Sequence, residues 1–142
     1  MTMTLQELSD RMEIKDLMVD YATAVDTQNN DALDDVFTPD PFIDYTACGG
    51  IKGNLEEIKE FLKSALPMFS GTQHMIANSS IKLHGDTAEG VTMCHNPMPH
   101  NGDDGEDKLM IVGLWYLDKF VRTDKGWRMK ERVERRAYQH NF

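Results

Sequence analysis

Asp26 and His74 are the residues of this chain whose types suit proton transfer near neutral pH. Asp26 follows Ala22 by four positions and Met18 by eight, so on a helix the three share one face, and that face is the apolar one. A carboxylate there is expensive to desolvate unless something pairs with it. His74, in the segment Thr72-Gln73-His74-Met75-Ile76, is the candidate partner. An aspartate fixes the imidazole tautomer and stabilises its charged form, as a general acid–base requires. Tyr21 on the same helix and Tyr45 on a following strand-like segment could donate hydrogen bonds to an oxygen that gathers charge. Each residue also has a simpler reading. His74 could be structural, Asp26 could cap its helix by accepting from the amides of Asn29 or Asn30, and the tyrosines could be core aromatics with a wet hydroxyl.

A third candidate is His95. In a regular strand Val91, Met93 and His95 share one face, and Thr92, Cys94 and Asn96 the other. The first set is the more apolar, so His95 is expected to point inward with His74. His84, His100 and His140 lie in turn-like or terminal sequence and are expected in solvent. No histidine pair has helix-ligand spacing and no Cys/His cluster forms, so a metal is not expected. Cys48 and Cys94 are far apart in sequence and read as free thiols. Pro97-Met98-Pro99 is a candidate lid segment.

The elements that must position these groups are legible. Leu5, Leu8, Met12, Leu17, Met18, Tyr21, Ala22 and Val25 recur at helical spacing, predicting one long helix that ends near Gln28-Asn29-Asn30. Asp31 to Phe37 predicts a short second helix, stopped by Thr38-Pro39-Asp40-Pro41. Phe42–Thr46 is strand-like, and Gly49-Gly50 breaks it. Asn54 caps a third helix whose apolar face is Leu55, Ile58, Phe61, Leu62 and Leu66, ended by Pro67. Four strand-like runs follow: about 72–83, 87–95, 109–121 and 127–138. Explicit turns separate them at His84-Gly85-Asp86, Asn101–Gly105 and Thr123–Gly126. Helices followed by an antiparallel meander form an α+β pattern in one domain, 1–142.

The chain resembles the nuclear transport factor 2-like superfamily, and within it the SnoaL-like branch that includes scytalone dehydratase and bile acid 7α-dehydratase. The residues that carry the likeness are Tyr21–Asp26, Asp34–Asp40, Gly53, Thr72–Met75 with Asn78, His84–Ala88 and Gly126–Met129. The resemblance implies a cone-shaped fold, a curved mixed sheet with three N-terminal helices packed on its concave face. It also implies a pocket carrying Tyr21, Asp26, Tyr45 and His74. His95 or Asn96 would fill one further family position there, and Arg135 or Arg136 another. The implied reaction is cofactor-independent loss of water from a hydroxylated carbonyl compound, with His74 as base and then as donor to the departing hydroxyl. Ketosteroid-isomerase or polyketide-cyclase chemistry, or a non-catalytic ligand-binding or assembly subunit, are the alternatives within the same fold.

Composition narrows the partners. The 142 residues carry a formal net charge of −9, and the basic stretch from Arg128 to Arg136 is interrupted by Glu131 and Glu134. It reads as the solvated face of a strand, and a nucleic-acid partner is not expected. No apolar run is long enough for a membrane span, and no basic leader precedes an apolar core, so a cytoplasmic protein is expected. Trp115, Leu117, Trp127, Met129 and Val133 are expected on an outer sheet face that a monomer would leave bare. A homo-oligomer follows, a trimer or a dimer, with a small hydrophobic molecule as the other partner.

Overall fold

The computed structural model describes residues 2–141. Two α-helices, not three, pack on a curved, unclosed six-stranded sheet. Helix α1 spans Leu5–Asp26 and α2 spans Leu55–Ala65. The segment expected as the second helix is a 3-10 segment, Asn30–Asp35. It buries only Leu33, too little apolar surface to hold longer helix in so acidic a stretch. The strands are β1 Phe37–Asp44, β2 Lys52–Gly53, β3 Met75–His84, β4 Thr87–Asn101, β5 Asp107–Thr123 and β6 Gly126–Asn141. Their order is β2-β1-β6-β5-β4-β3; β1 runs parallel to β6 and every other neighbouring pair is antiparallel.

Both helices begin at capping boxes, Thr4 with Glu7 and Asn54 with Glu57. The apolar stripe of α1 is shorter than its sequence suggests. Ile14, Leu17, Met18, Tyr21, Ala22 and Val25 are buried, whereas Leu5, Leu8 and Met12 are exposed. The first half of α1 is anchored instead by buried Asp10. Its carboxylate accepts from Arg122 Nη1 and Nη2 at 2.8 Å each and from Trp127 Nε1 at 3.0 Å. The Arg122 bonds hold its acidity well above that of an ordinary carboxylic acid, against the cost of burial.

The prolines sit where the sheet can tolerate them. Thr38-Pro39-Asp40-Pro41 does not stop β1; its register against β6 slips between Phe37 and Phe42. Strand β4 continues through Pro97 and Pro99, so the candidate lid is part of the sheet, with Met98 facing inward. Ser70 N–H donates to Pro99 O at 2.9 Å, which places that side of the proline away from β5, beyond the end of β3. There a missing N–H interrupts no ladder.

Two bulges decide which side chains of β6 face the helices. Lys119 pairs with Glu131 but Phe120 with Met129, leaving Lys130 as an extra residue; Gly113 pairs with Tyr138 but Leu114 with Arg136, leaving Ala137 as another. Trp127 and Met129 therefore point into the core, fully buried, and not onto the outer face as their alternation with Val133 suggests. After the first bulge the inward positions are Arg132 and Glu134. The expectation of a solvated basic strand fails there: Arg132 is fully buried, giving Nε and Nη2 to Asp118 at 2.8 Å each.

Candidate active site

The C-terminal end of α1 delivers the acid. Thr27 ends the helix and Gln28 takes a left-handed conformation, φ 55°. Gln28 N–H donates to Val25 O and Asn29 N–H to Ala24 O, a Schellman closure. The Asn29 amide is thereby satisfied by backbone, and the Asp26 carboxylate is not its cap. It turns instead to the strand entry. Oδ1 accepts from His74 Nδ1 at 2.6 Å and from Thr72 Oγ1 at 2.8 Å, and Oδ2 accepts from His74 N–H at 2.9 Å. Burial opposes ionisation of Asp26, but the side-chain and backbone bonds from His74 outweigh it and hold the carboxyl below its usual range.

Beyond the couple lies Asn96. It pairs across the sheet with Val112, and its Nδ2 lies 3.1 Å from His74 Nε2. With Nδ1–H donated to Asp26, Nε2 carries the lone pair and accepts from this amide. Asn96 Oδ1 is buried without a protein partner. A rotated amide would present that oxygen to Nε2–H, so Asn96 can serve His74 in either protonation state.

His95 is on the other face. Thr92, Cys94, Asn96 and Met98 are the buried positions of β4. His95 points outward, with Nδ1 2.7 Å from the Tyr138 hydroxyl across the bare backbone of Gly113. The expected phase is corrected: the polar-looking set is the inner one because it meets Tyr116 and Met18 sulfur rather than solvent. Thr92 Oγ1 lies 3.0 Å from that sulfur. Neither arginine joins the site. Arg135 is exposed opposite Trp115, and exposed Arg136 has Nη1 3.3 Å from Gln139 Oε1.

A cavity of about 320 Å³ opens beside this group, between α1, α2 and the concave sheet face. Tyr21, Tyr45, His74 and Asn96 all line it, among walls that include Val25, Phe61, Leu62, Met98 and Leu114. The Tyr21 and Tyr45 hydroxyls lie 2.5 Å apart, so one donates to the other and the second keeps an O–H to give away. Burial pushes both phenols well above their ordinary range, so they remain donors at neutral pH. Beneath Tyr21 lies the Arg132 guanidinium, 4.1 Å from its ring and 3.8 Å from that of Tyr116.

Three lining residues with polar or ionisable side chains lie outside the expectations from sequence: Tyr116, Cys48 and Glu134. The inward phase of Val112, Leu114, Tyr116 and Phe120 carried a signal for Tyr116. Glu134 had none, because its direction depends on the bulge at Lys130. Among the described residues the cavity has no lysine or arginine in its lining, and none of the His, Cys, Asp and Glu residues gather as a metal site. Burial pushes the Cys48 and Cys94 thiols up to about 12, away from nucleophilic chemistry. Both cysteines are free.

Comparison with known proteins places the chain by family and by fold. The SnoaL-like domain matches residues 6–133. An uncharacterized protein of Mycobacterium tuberculosis is 46% identical over 137 residues, covering 96% of this chain and 92% of that one. Among solved structures, a scytalone dehydratase-like protein from Novosphingobium aromaticivorans superposes with a TM-score of 0.84. It is 23% identical, with 99% of this chain and 92% of that one covered. Hexachlorocyclohexane dehydrochlorinase from Novosphingobium barchaimii gives 0.81 at 19% identity, over 97% and 93%. These two share the fold. The span and identity of the matches establish that this chain belongs to the SnoaL-like domain family.

Proposed function

We propose that the protein is a cofactor-independent lyase that eliminates water from a small, uncharged, hydrophobic hydroxy-carbonyl compound. The observation that carries this reading is the Asp26–His74 couple, closed at 2.6 Å with Nε2 at the edge of an apolar cavity. In the proposed reaction the substrate carbonyl accepts the free hydroxyl hydrogen of the Tyr21–Tyr45 pair. His74 Nε2 removes the proton on the carbon next to that carbonyl. The electron pair enters the carbonyl as an enolate, which the tyrosines hold by hydrogen bonding. Its collapse breaks the C–O bond on the next carbon; the oxygen keeps the pair, takes one proton from an acid in the site and leaves as water, giving an enone. Asp26 offsets the imidazolium charge meanwhile. The carbonyl itself serves as the electron sink, so the step requires no metal or organic cofactor. The scytalone dehydratase-like and dehydrochlorinase neighbours support an elimination of this general kind.

A cavity of this size suits one or two rings, and the absence of cationic lining favours a neutral molecule over a carboxylate or phosphate. The test is turnover of a panel of β-hydroxy ketones, steroid alcohols and polyketide alcohols by the wild type and by His74→Ala. Enone formation that disappears in the variant is the expected result. Equal turnover by both would remove His74 from the mechanism, and tight binding without turnover would favour a carrier.

A further inference from the structure

Glu134 is a titratable group in the cavity wall with no role in the proton abstraction by His74 or the enolate binding by the tyrosines. It reaches the cavity because the extra residue Lys130 resets the alternation of β6, which puts Glu134 opposite inward Tyr116. Among the described residues no lysine or arginine lines the cavity beside it. Arg132, two residues earlier on the same face, favours ionisation of Glu134 by its charge, but its Nε and Nη2 are committed to Asp118 and the effect does not offset burial. The other groups facing Glu134 are the Cys48 thiol, which donates to it, and Asp44, whose negative charge opposes ionisation. Desolvation, the largest effect, pushes its carboxyl up to about 8. A carboxylic acid held neutral in this way is a hydrogen-bond and proton donor at pH 7.

Resting on the proposed dehydration, we infer that Glu134 is the general acid that protonates the departing hydroxyl. The substrate class is thereby narrowed to compounds whose leaving group is a poor one, an alcohol oxygen rather than a halide. The balance is complete. His74 Nε2 gains the α-proton, the C–O bond breaks with its pair going to oxygen, and the Glu134 O–H proton completes a water molecule. The enzyme is left with imidazolium and carboxylate. Transfer of one proton between them through the released water restores both.

The division of labour predicts a dependence on leaving group. Hydroxide needs protonation as it leaves, and an acid at that point contributes about 10²–10⁴ in rate; chloride needs none. The experiment compares 4-hydroxy-4-phenylbutan-2-one with its 4-chloro analogue, corrected for spontaneous elimination, in wild type, Glu134→Gln and His74→Ala. Glu134→Gln keeps the shape and is expected to lose at least about 100-fold on the hydroxy ketone while the chloro ketone changes less than about 3-fold. His74→Ala loses both. An equal effect of Glu134→Gln on the two ketones, or none on either, would overturn the assignment.

A second readout does not depend on turnover. Wild-type protein at pH 7 should show the infrared carbonyl stretch of a protonated carboxylic acid, missing in Glu134→Gln, and its absence in the wild type would also overturn the assignment. If the wild type turned over neither ketone, the dehydratase reading would lose support, and the infrared band alone would decide whether Glu134 is held as a proton donor.

Discussion

Asp118 and Arg132 stand directly opposite each other on β5 and β6, fully buried, joined by two parallel hydrogen bonds of 2.8 Å. This pair connects the scaffold to the cavity. The carboxylate fixes the guanidinium as a flat plate, and Tyr21 and Tyr116 pack against it. Removing Asp118 would leave a buried cation with no counter-charge. Asp118→Ala should therefore cost about 3–5 kcal/mol in urea unfolding. The double replacement Asp118→Leu with Arg132→Met should recover most of that loss, because a well-packed apolar pair needs no compensation. A loss in the double variant as large as in the single one would show that the ion pair contributes more than mutual compensation.

The Asp26–His74 contact carries a second expectation. Asp26→Asn preserves volume but replaces a charged acceptor with an amide. The amide can donate to Nδ1 and so favour the tautomer with hydrogen on Nε2, the wrong one for a base facing the cavity. Activity on a hydroxy ketone should fall by about 10²–10⁴ in kcat, with a much smaller change in KM. The urea midpoint should move little, since the His74 N–H retains an oxygen acceptor in the amide. A rise in KM at constant kcat would place Asp26 in binding rather than proton transfer.

The sequence makes this couple visible through one anomaly, a carboxylate on an apolar helical stripe, and the stripe holds from Leu17 onward. The α+β order, the cap of α2 and the turns were likewise readable because local chemistry fixes them: Asn54 with Glu57, Gly85, Gly126. The errors have a common physical cause. Alternation along a strand gives two faces but not which is inner, and a bulge exchanges them midway. Apolar Val91 and Met93 favour an inward His95, yet the inner face of β4 carries Thr92 and Asn96, paired with Tyr116 and Val112. Arg132 and Glu134 read as solvated because nothing local marks Lys130 as an extra residue. Buried polar networks are long-range properties, and a single sequence records only one partner at a time.

Stability should depend on pH in a direction set by Glu134. Its carboxyl has an ordinary value of 4.5 and is pushed up to about 8 in the fold by desolvation. Between those limits the native state holds a proton that the unfolded chain has released, so the stability it contributes is complete below about pH 4.5 and declines as pH rises toward about 8. The slope for one such group cannot exceed about 1.4 kcal/mol per pH unit. Asp10 and Asp26 act with the opposite sign. Their carboxyls are held below the ordinary range, Asp10 chiefly by Arg122 and Asp26 by His74 against desolvation, so their contribution is present at neutral pH and lost on strong acidification. The two effects separate in pH, and Glu134 governs the interval from about 5 to 8. Urea unfolding across that interval should give a midpoint that falls with pH in the wild type and a flatter profile in Glu134→Gln, whose amide cannot ionise. A wild-type midpoint that stayed constant would mean that the carboxyl is charged in the native cavity, a state with no cation in the lining to balance it.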